Sequence, residues 1–562
     1  MMKSSNDTIQ VNNDTIQVNI EGKVFHCPKG ISLLELSRSF QEKRNLDILA
    51  GKVNNKIKDL YFCLEEDCNI QWIDLSSEDG VRVYKRSLFF VLIKAVKELY
   101  PEGNLNIRHS ISRGTYCEIQ GLPCITEEDI DKIDKKMREI VSQNIPMTKS
   151  TVPLEQAKEY FLKTGDMAKV SLLKHCRKKT ISMYNCGGMT GYLYGYLVPH
   201  TGYLKKFELM YYPPGFILRY PDRHSQPDIP PFEKNVQLFN VINEYKRWGE
   251  ILNVSHVGSL NEMIANGRGL ELIHVSEALH EKKIAYIADT IAANSNNIKI
   301  ILISGPTSSG KTTFAHRLAI QMRVNGLKPV TISLDDYFVN REQTPIDEEG
   351  KPDYEALEAI DVELFNTHLR QLIEGQEVEI PIFNFHLGCR EPRGRKVILG
   401  KDEVIIIEGI HGLNERLTAS IPRSKKFKIY VSALTQLSLD GHSPISTTDS
   451  RLIRRIVRDY KFRSSSALST LEMWNSVRRG EMKNIFPFQE QADVMFNSAL
   501  VYELAVLKKY ALPLLEEIDS SHEQYSEARR LIDFLGYFLD MPSDHIPSTS
   551  IIREFIGGSS LY

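Results

Sequence analysis

Short apolar runs that alternate with helical patterns mark the second half of the chain. Residues 298–303 are almost wholly apolar, which is typical of a strand buried on both faces of a parallel sheet. A helical pattern follows from Phe314 to Met322, and residues 329–334 and 404–407 repeat the short apolar run. Strands alternating with helices in this way predict a doubly wound parallel sheet.

The first part of the chain has shorter strand patterns. The predicted strands begin at Ile16, after which a turn at Glu21 and Gly22 leads to strands at 24–27, 48–53 and 69–73. A helix is predicted from Ser32 to Phe40, because Ser32 and Glu35 have the spacing of a capping box. These elements predict a compact sheet with one helix across it.

Two further features concern the connection between these parts. The proline-rich stretch 226–232 predicts a domain boundary. A long helical pattern from about residue 270 to residue 291 predicts a helix that packs beside the parallel sheet.

A glycine loop with the spacing Gly-x-x-x-x-Gly-Lys-Thr joins the strand at 298–303 to the next helix. Gly305 and Gly310 allow the backbone to curl, so that successive N–H groups and the helix N-terminus face one anion. Lys311 is expected to reach the β- and γ-phosphates, and the Thr312 hydroxyl to ligate Mg²⁺. The flanking strand and helix argue against an accidental glycine loop. The predicted ATP-binding residues of the loop are Gly305, Pro306, Thr307, Ser308, Ser309, Gly310, Lys311, Thr312 and Thr313.

Carboxylates follow two of the apolar runs directly. Asp335 and Asp336 come after residues 329–334, and Glu408 ends the run 404–407. Ligands of doubly wound sheets bind outside the carboxyl ends of strands, where a carboxylate takes a proton from a hydroxyl or holds Mg²⁺. Glu408 has the Walker B arrangement. Capping of a helix N-terminus is an alternative role for Asp336, and it fits Asp335 less well.

Four arginines share one face of a predicted helix, because Arg451, Arg454, Arg455 and Arg458 are spaced i, i+3, i+4 and i+7. A solvated face is the usual explanation of such charge, but few acids in this stretch balance it. We favour the alternative that these arginines form a lid over transferring phosphates.

Composition narrows the class of protein. The 562 residues suggest about three or four domains. The formal net charge of −2 gives no global field for nucleic acid or an anionic membrane. No apolar run is long enough to span a membrane, and the polar first residues lack the apolar core of a signal peptide. The eight scattered cysteines predict reduced thiols and a cytoplasmic protein, with Cys63 and Cys68 interpreted as structural rather than zinc-binding.

From Ile298 to Leu515 the order of these elements resembles the uridine kinase/phosphoribulokinase family. The similarity rests on the glycine loop, on the arginine helix and on the segments 333–338, 353–361, 379–385 and 407–409. The resemblance implies ATP and Mg²⁺ as cofactors. It also implies Asp335 as the catalytic base, with Lys311 and Arg458 as further catalytic residues.

The resemblance further implies the binding residues. The implied metal ligands are Thr312, Glu408 and Asp335, and the implied phosphate-facing arginines are Arg455, Arg458 and Arg463. The implied acceptor contacts are Asp335, Tyr337, Tyr354, Glu355, Phe383 and Arg390, with Glu355 gripping the ribose hydroxyls. The chain departs from uridine kinases where they read the base, because Phe383 and Gly388 replace a tyrosine and a histidine, and Ser465 replaces a lid arginine.

The first part of the chain resembles the TGS module, followed by the second N-terminal domain of threonyl-tRNA synthetases. The synthetase-like segments are 87–101, 125–130 and 205–209. The hydrolytic site of that domain uses a His-x-x-x-His pair and a Cys-x-x-x-His pair, and the corresponding residues here are Arg86, Phe90, Cys186 and Thr190. Only Cys186 matches a residue of that site, so we expect neither a metal site nor hydrolysis of mischarged tRNA. Aromatic residues in 192–203 and 211–220 suit a packed β-rich surface or, as an alternative, stacking on RNA.

Together these observations predict a multidomain α/β protein, with a C-terminal P-loop NTPase domain preceded by a β-grasp domain and an α+β synthetase-like domain. The predicted division is an N-terminal extension (1–14), a TGS β-grasp domain (15–80), a synthetase-like domain (81–225), a linker with a helical connection (226–285), a uridine kinase-like domain (286–520) and a helical tail (521–562).

The predicted activity is transfer of the γ-phosphoryl group of ATP to the 5′-hydroxyl of a ribonucleoside, uridine- or cytidine-like by family. The alternatives are an RNA- or ribosome-associated regulatory NTPase and a phosphoribulokinase-like sugar-phosphate kinase. The expected partner is the nucleoside substrate, with no membrane. RNA contact through the first half and homo-oligomer formation are left open.

Overall fold

The described part of the chain comprises residues 15–122, 124–347, 350–384, 387–400, 403–435 and 437–562 of a computed structural model. The predicted extension 1–14 lies outside these residues, as do Phe385 of the segment 379–385 and Asp402 before the Glu408 strand. Within these ranges, no helix is both long enough and apolar enough to cross a membrane. The cytoplasmic location stays a prediction.

The elements up to residue 233 form three sheets with helices between them. The strands are β1 (Thr15–Ile20), β2 (Lys23–Pro28), β3 (Ala50–Val53), β4 (Lys56–Lys58), β5 (Cys68–Ile73), β6 (Asn104–Ile111), β7 (Gly114–Gln120), β8 (Met147–Pro153), β9 (Thr180–Cys186), β10 (Met189–Gly191), β11 (Glu208–Tyr212) and β12 (Gly215–Arg219). The helices are α1 (Leu33–Gln41), α2 (Glu78–Leu99), α3 (Glu127–Ser142), α4 (Leu154–Lys163) and α5 (Met167–Lys174).

The first sheet has the order β2-β1-β5-β3-β4, and Leu33 and Leu36 of α1 share its hydrophobic core. Ser32 caps α1, because its hydroxyl oxygen accepts the Glu35 N–H at 3.2 Å while the Glu35 carboxylate accepts the Ser32 N–H at 3.1 Å. Both the capping box and the sheet with one helix across it are therefore confirmed.

The sheets β11-β12-β7-β6 and β10-β9-β8 follow. Phe90 and Cys186, at positions where the synthetases have metal ligands, belong to the hydrophobic core of this region. Arg86 donates to the Tyr196 carbonyl at 2.8 Å, and the Thr190 hydroxyl accepts the Asn185 amide at 3.0 Å. The side chains at these four positions therefore take part in core packing or in hydrogen bonds within the fold.

The elements after residue 233 surround one parallel sheet. The strands are β13 (Ile300–Ser304), β14 (Lys328–Ser333), β15 (Val378–Ile380), β16 (Phe383–Asn384), β17 (Cys389–Arg390), β18 (Arg395–Val397), β19 (Glu403–Glu408), β20 (Lys426–Ser432), β21 (Ser438–Asp440), β22 (Ser443–Pro444) and β23 (Val494–Asn497). The helices are α6 (Val236–Leu252), α7 (Val257–Ala265), α8 (Gly269–Ala293), α9 (Lys311–Val324), α10 (Val362–Ile373), α11 (Thr447–Arg463), α12 (Ala467–Asn484), α13 (Glu503–Glu516), α14 (Tyr525–Leu535) and α15 (Arg553–Ile556).

The parallel sheet has the order β14-β19-β13-β20-β23, with the glycine-loop strand β13 at its centre. The predicted long helix is α8, and it packs on α9: Arg317 of α9 donates to the Glu281 carboxylate of α8 at 2.6 Å. The fold class is thus confirmed, and the carboxyl ends of β13, β14 and β19 meet at one edge of the sheet.

The chain divides into two units that are discontinuous in sequence. The first contains the residues up to 160 together with 178–233 and 519–526, and the second contains 161–177, 234–518 and 527–562. Helix α5 belongs to the second unit, where Leu172 and Leu173 are fully buried and the Lys169 ammonium lies 2.8 Å from His442 Nδ1. The six-part division and the boundary at 226–232 stay predictions.

Candidate active site

The backbone of the glycine loop between β13 and α9 has two positive φ angles, +57° at Ser308 and +84° at Gly310. A Cβ at Gly305 would lie 1.9 Å from the Val431 carbonyl oxygen, so only glycine fits there. The first N–H groups of α9 have no partner within the helix, since the helical bonds start four residues in. The loop and helix therefore have the geometry expected of an anion-binding P-loop.

Oxygen ligands from three elements meet beside this loop. The Thr312 hydroxyl lies 3.4 Å from Glu408 Oε1 at the end of β19, and the Ser333 hydroxyl donates to the same oxygen at 3.0 Å. The Lys311 ammonium lies 3.2 Å from the Pro306 carbonyl. The structure thus brings the predicted residues Lys311, Thr312 and Glu408 together.

The charge around Glu408 follows from its burial. The pKa of the Glu408 carboxyl is raised to about 7, chiefly by burial and also by the negative charge of Asp335, while Lys311 opposes the rise. Asp335 lies in the short 3-10 turn Leu334–Tyr337 after β14, and its N–H donates to the Ser333 hydroxyl at 3.3 Å. Asp335 is therefore close enough to Glu408 to influence its ionisation.

Asp336 has a different position from Asp335. Its carboxylate accepts the Phe383 N–H at 3.5 Å, and burial raises its pKa. The residue that caps the turn is Ser333, so helix capping does not account for Asp336.

A magnesium ion suits this donor set. Thr312, Ser333 and Glu408 supply hard oxygen ligands, and Mg²⁺ in phosphotransferases is held by one or two protein oxygens together with phosphates and water. Within the described ranges, no three His, Cys, Asp or Glu side chains gather as a closed metal cage.

Two arginines of α11 are buried beneath the loop. The side chains of Arg451 and Arg454 are each 1% exposed. Arg451 pairs with Glu481 of α12 and donates to the Thr307 carbonyl at 3.1 Å. Arg454 pairs with Glu503 of α13 at 2.5 Å and donates to the Ser308 carbonyl at 3.3 Å.

The burial of Arg451 and Arg454 corrects the prediction that the whole arginine face forms a lid over transferring phosphates. The arginine face is balanced by acids, but these acids come from α12 and α13 and are distant along the chain. Arg451 and Arg454 support the loop from below, because each guanidinium binds both a carboxylate and a loop carbonyl.

The other three arginines surround one carboxylate. Arg455, Arg458 and Arg463 lie 3.1, 2.7 and 3.8 Å from the Asp459 oxygens, and Arg455 lies 3.3 Å from the Thr307 hydroxyl. The positive charge of Arg458, together with burial, lowers the pKa of Arg463 to about 10. Arg455, Arg458 and Arg463 thus share the Asp459 carboxylate, and Arg455 places this group beside the P-loop residue Thr307.

Glu355 is a predicted acceptor contact, and its carboxyl lies near Lys311 of the P-loop. The pKa of its carboxyl is raised to about 7, chiefly by burial and also by the charge of Glu481, while Arg455, Lys311 and Arg451 oppose the rise. Among the described residues, nothing donates a hydrogen bond to the buried Glu355 Oε2. A Cβ at Gly480 of α12 would lie 2.2 Å from Glu355 Cβ, so glycine at this position makes room for the carboxylate.

Tyr337 and Arg390 are two predicted acceptor contacts whose polar groups have partners within the fold. The Tyr337 ring is buried against Phe365, and its hydroxyl lies 3.1 Å from His368 Nδ1. Arg390 donates to the Tyr337 and Phe338 carbonyls at 2.9 and 3.0 Å. These positions correct the prediction for both residues, because their polar groups are used by the fold around the β14 turn.

The remaining predicted acceptor contacts are Tyr354 and Phe383, and Phe383 lies in the hairpin of β16 and β17. Tyr354 is 43% exposed, and the Phe383 ring lies 5.7 Å from the Phe338 ring. Gly388 has φ +71°, and a Cβ there would lie 2.7 Å from the Arg341 guanidinium carbon. A histidine at 388, which the resemblance to uridine kinases leads us to expect, would take this left-handed backbone at a cost of about 1–2 kcal/mol.

Comparison with known proteins agrees with this geometry. Residues 300–505 match the model of the phosphoribulokinase/uridine kinase family. The resemblance of the second half is thereby confirmed, and this segment carries a P-loop kinase domain. A solved structure described as a possible uridine kinase from Bacillus stearothermophilus is 22% identical, with a TM-score of 0.25, and the match covers 38% of this chain and 98% of that one. At this TM-score the likeness supports neither fold nor activity.

The first half matches a different group. Threonine–tRNA ligase 2 of Bacillus subtilis is 32% identical over 190 residues, and the threonine–tRNA ligase of Desulforamulus reducens is 32% identical over 191 residues. Each match covers 34% of this chain and 30% of the ligase. The chain therefore spans less than a third of the length of these relatives. The predicted fusion of a synthetase-like half to a kinase domain is confirmed.

Several residues of the site were missed from the sequence. They are Ser333, Asp459, Glu481 and Glu554. Asp459 lies within the arginine run and could have been recognised as the acid that gathers these arginines. Glu481 and Glu554 reach the loop from distant parts of the chain, and no local pattern indicates this.

Proposed function

We propose that the protein is an ATP- and Mg²⁺-dependent kinase that transfers the γ-phosphoryl group to the 5′-hydroxyl of a ribonucleoside. The observation that carries the proposal is the meeting of a P-loop, the Thr312–Glu408 oxygens and Asp335 at one edge of the parallel sheet. Phosphoryl transfer needs positioning and charge stabilisation more than covalent chemistry, and these residue types supply both.

The chain's own residues have separate roles in this proposal. Lys311 and the loop N–H groups hold the phosphates, and Thr312 and Glu408 would hold Mg²⁺, which neutralises phosphate charge when bound. Asp335 accepts the proton of the attacking hydroxyl. Arg455, Arg458 and Arg463 stabilise the charge of the transferring group, since they are gathered by Asp459 and Arg455 lies 3.3 Å from the Thr307 hydroxyl of the loop.

Glu355 supports a neutral sugar hydroxyl as the acceptor group. Its buried Oε2 lacks a donor among the described residues, and a ribose hydroxyl is such a donor. An acceptor that carries its own phosphate would place that negative charge beside the ionised form of the Glu355 carboxyl, which is unfavourable. This argues against a sugar-phosphate kinase.

The test is ATP turnover with product analysis against ribonucleosides, deoxyribonucleosides, ribulose 5-phosphate and water alone. We expect one ribonucleoside to be phosphorylated. We expect both Lys311→Ala and Asp335→Asn to reduce the rate by a factor on the order of 10²–10⁴ while the fold is kept. Lys328→Ala is a matched control, because Lys328 is exposed at the start of β14. Substantial turnover by folded Asp335→Asn would exclude it as the base.

A second candidate is a regulatory NTPase that binds RNA through its first half. The match of that half to two threonine–tRNA ligases favours it. ATP hydrolysis that no acceptor changes, but that tRNA or ribosomes stimulate, would support this candidate over the kinase.

A further inference from the structure

A carboxylate from the last described segment, residues 550–562, lies on the P-loop helix. Glu554 Oε2 accepts the Thr313 N–H at 3.2 Å and the Thr313 hydroxyl at 2.8 Å. The Tyr562 hydroxyl lies 3.2 Å from the same Thr313 oxygen. The first turn of α9 is thus engaged by an anion that belongs to the chain itself.

Apolar packing holds this segment in place. Ile551 and Phe555 are fully buried. Phe555 lies under the Arg454 guanidinium, with 5.0 Å between the guanidinium carbon and the ring centroid. A Cβ at Gly310 would lie 2.6 Å from Ile551 Cγ2, so the segment occupies the space that glycine leaves at the end of the loop.

Polar contacts fix the segment at both sides of Glu554. The Arg553 guanidinium donates to the Ser543 and Ile546 carbonyls at 2.9 and 2.6 Å. The Lys461 ammonium of α11 donates to the Ile556 carbonyl. The position of the Glu554 carboxylate is therefore determined by several independent contacts.

The Thr313 N–H is one of the donors that a P-loop offers to a nucleotide. It belongs to the first turn of α9, and in P-loops these N–H groups cradle the α- and β-phosphates. A carboxylate and a phosphate oxygen cannot both accept this hydrogen, and their negative charges repel each other.

We propose that Glu554 is a built-in competitor of the nucleotide: the 550–562 segment closes the α-phosphate subsite, and a nucleotide binds only after Glu554 has left Thr313. This proposal rests on the proposed function of the P-loop as an ATP site. The segment thereby sets the apparent affinity for ATP, because binding is weakened by the fraction of molecules in which the site is open.

The test compares the affinity of the full-length protein for Mg²⁺ with AMP-PNP, a non-hydrolysable ATP analogue, by isothermal titration calorimetry. Glu554→Gln keeps the size of the side chain and removes its charge. We expect Glu554→Gln to bind the analogue on the order of tenfold more tightly than the wild type does. This factor corresponds to a site that is open in about a tenth of wild-type molecules. Asp544→Asn is the matched control, because Asp544 is an exposed carboxylate just before the segment. It should bind as the wild type does.

Hydrogen exchange of the wild-type protein gives a second, variant-free measurement. Amides of residues 550–562 should exchange faster when the analogue is bound, because the segment has been displaced. Unchanged or slower exchange, or a Glu554→Gln protein that binds the analogue no better than wild type, would overturn the proposal. Absence of binding by wild type and Glu554→Gln alike would instead refute the ATP site itself, and the two failures are thus distinguishable.

Discussion

Arg454 and Arg458 lie one turn apart on α11, yet we expect opposite consequences when each is replaced by methionine. Arg454 is buried, pairs with Glu503 at 2.5 Å, and donates to the Ser498 carbonyl at 2.9 Å and to the Ser308 carbonyl. Arg458 bonds only to Asp459 among the described residues and shares that carboxylate with two other arginines. Arg454→Met should therefore unfold the protein more easily, whereas Arg458→Met should mainly reduce phosphoryl transfer.

The magnitude for Arg454 follows from its partner. Breaking a buried ion pair on one side costs about 3–5 kcal/mol, since the other charge is left in the interior. The Leu500 N–H still donates to Glu503 at 2.9 Å, which favours the lower half of that range. The second unit has roughly 340 residues, so its unfolding entropy converts 1 kcal/mol into about 1.4 °C, and the melting temperature should fall by roughly 4–6 °C.

Arg458→Met should shift the melting temperature by less than about 2 °C, because Asp459 keeps Arg455 and Arg463 as partners when Arg458 is replaced. Scanning calorimetry of both variants measures the contrast. The double variant Arg454→Met/Glu503→Met should recover much of the loss, since apolar replacement of both partners is tolerated better than an unpaired charge. An Arg454→Met protein as stable as wild type would refute the structural role assigned to this arginine.

Two further predictions concern the acceptor side. The folded-state pKa of Glu355 is raised to about 7, so the wild type loses stability as pH rises from about 4.5 to 7. Neutral Glu355→Gln avoids this loss, and its stability relative to wild type should rise between pH 5 and pH 8 by at most about 3 kcal/mol, as measured by urea unfolding. A difference that does not change with pH would contradict the assigned ionisation. Gly480→Ala places a Cβ 2.2 Å from Glu355 Cβ. It should raise KM for the acceptor with little change in KM for ATP, and an equal rise in both would contradict the assignment of Glu355 to the acceptor.

Local sequence patterns predicted the structure correctly where that structure depends on neighbouring residues. The capping box at Ser32 and the order of strand, glycine loop and helix around Lys311 were all predictable, because hydrogen bonding and periodicity act over a few residues. The meeting of Thr312 and Glu408 was also predictable, since parallel strands place their carboxyl ends together.

Contacts between distant segments were not predictable in this way. The acidic partners of Arg451 and Arg454 lie 30 and 49 residues away along the chain. The sequence around the arginine helix therefore predicted unbalanced positive charge. Tyr337 and Arg390 were assigned to the acceptor by resemblance, but the packing of the β14 turn uses their polar groups. Glu554 carries no motif, and its role depends wholly on where the last segment packs.

Residues 161–177 belong to the second unit. This affects how such a fusion can arise and how its two parts can be separated. A gene fragment that begins after the proline-rich stretch would encode 234–562 without α5, leaving Asp440 without the Lys169 ammonium 3.9 Å away. Neither unit is a continuous module that a single recombination event could move. We therefore expect the combination to be inherited as a whole, and its kinase portion to be recovered intact only when α5 is supplied with it.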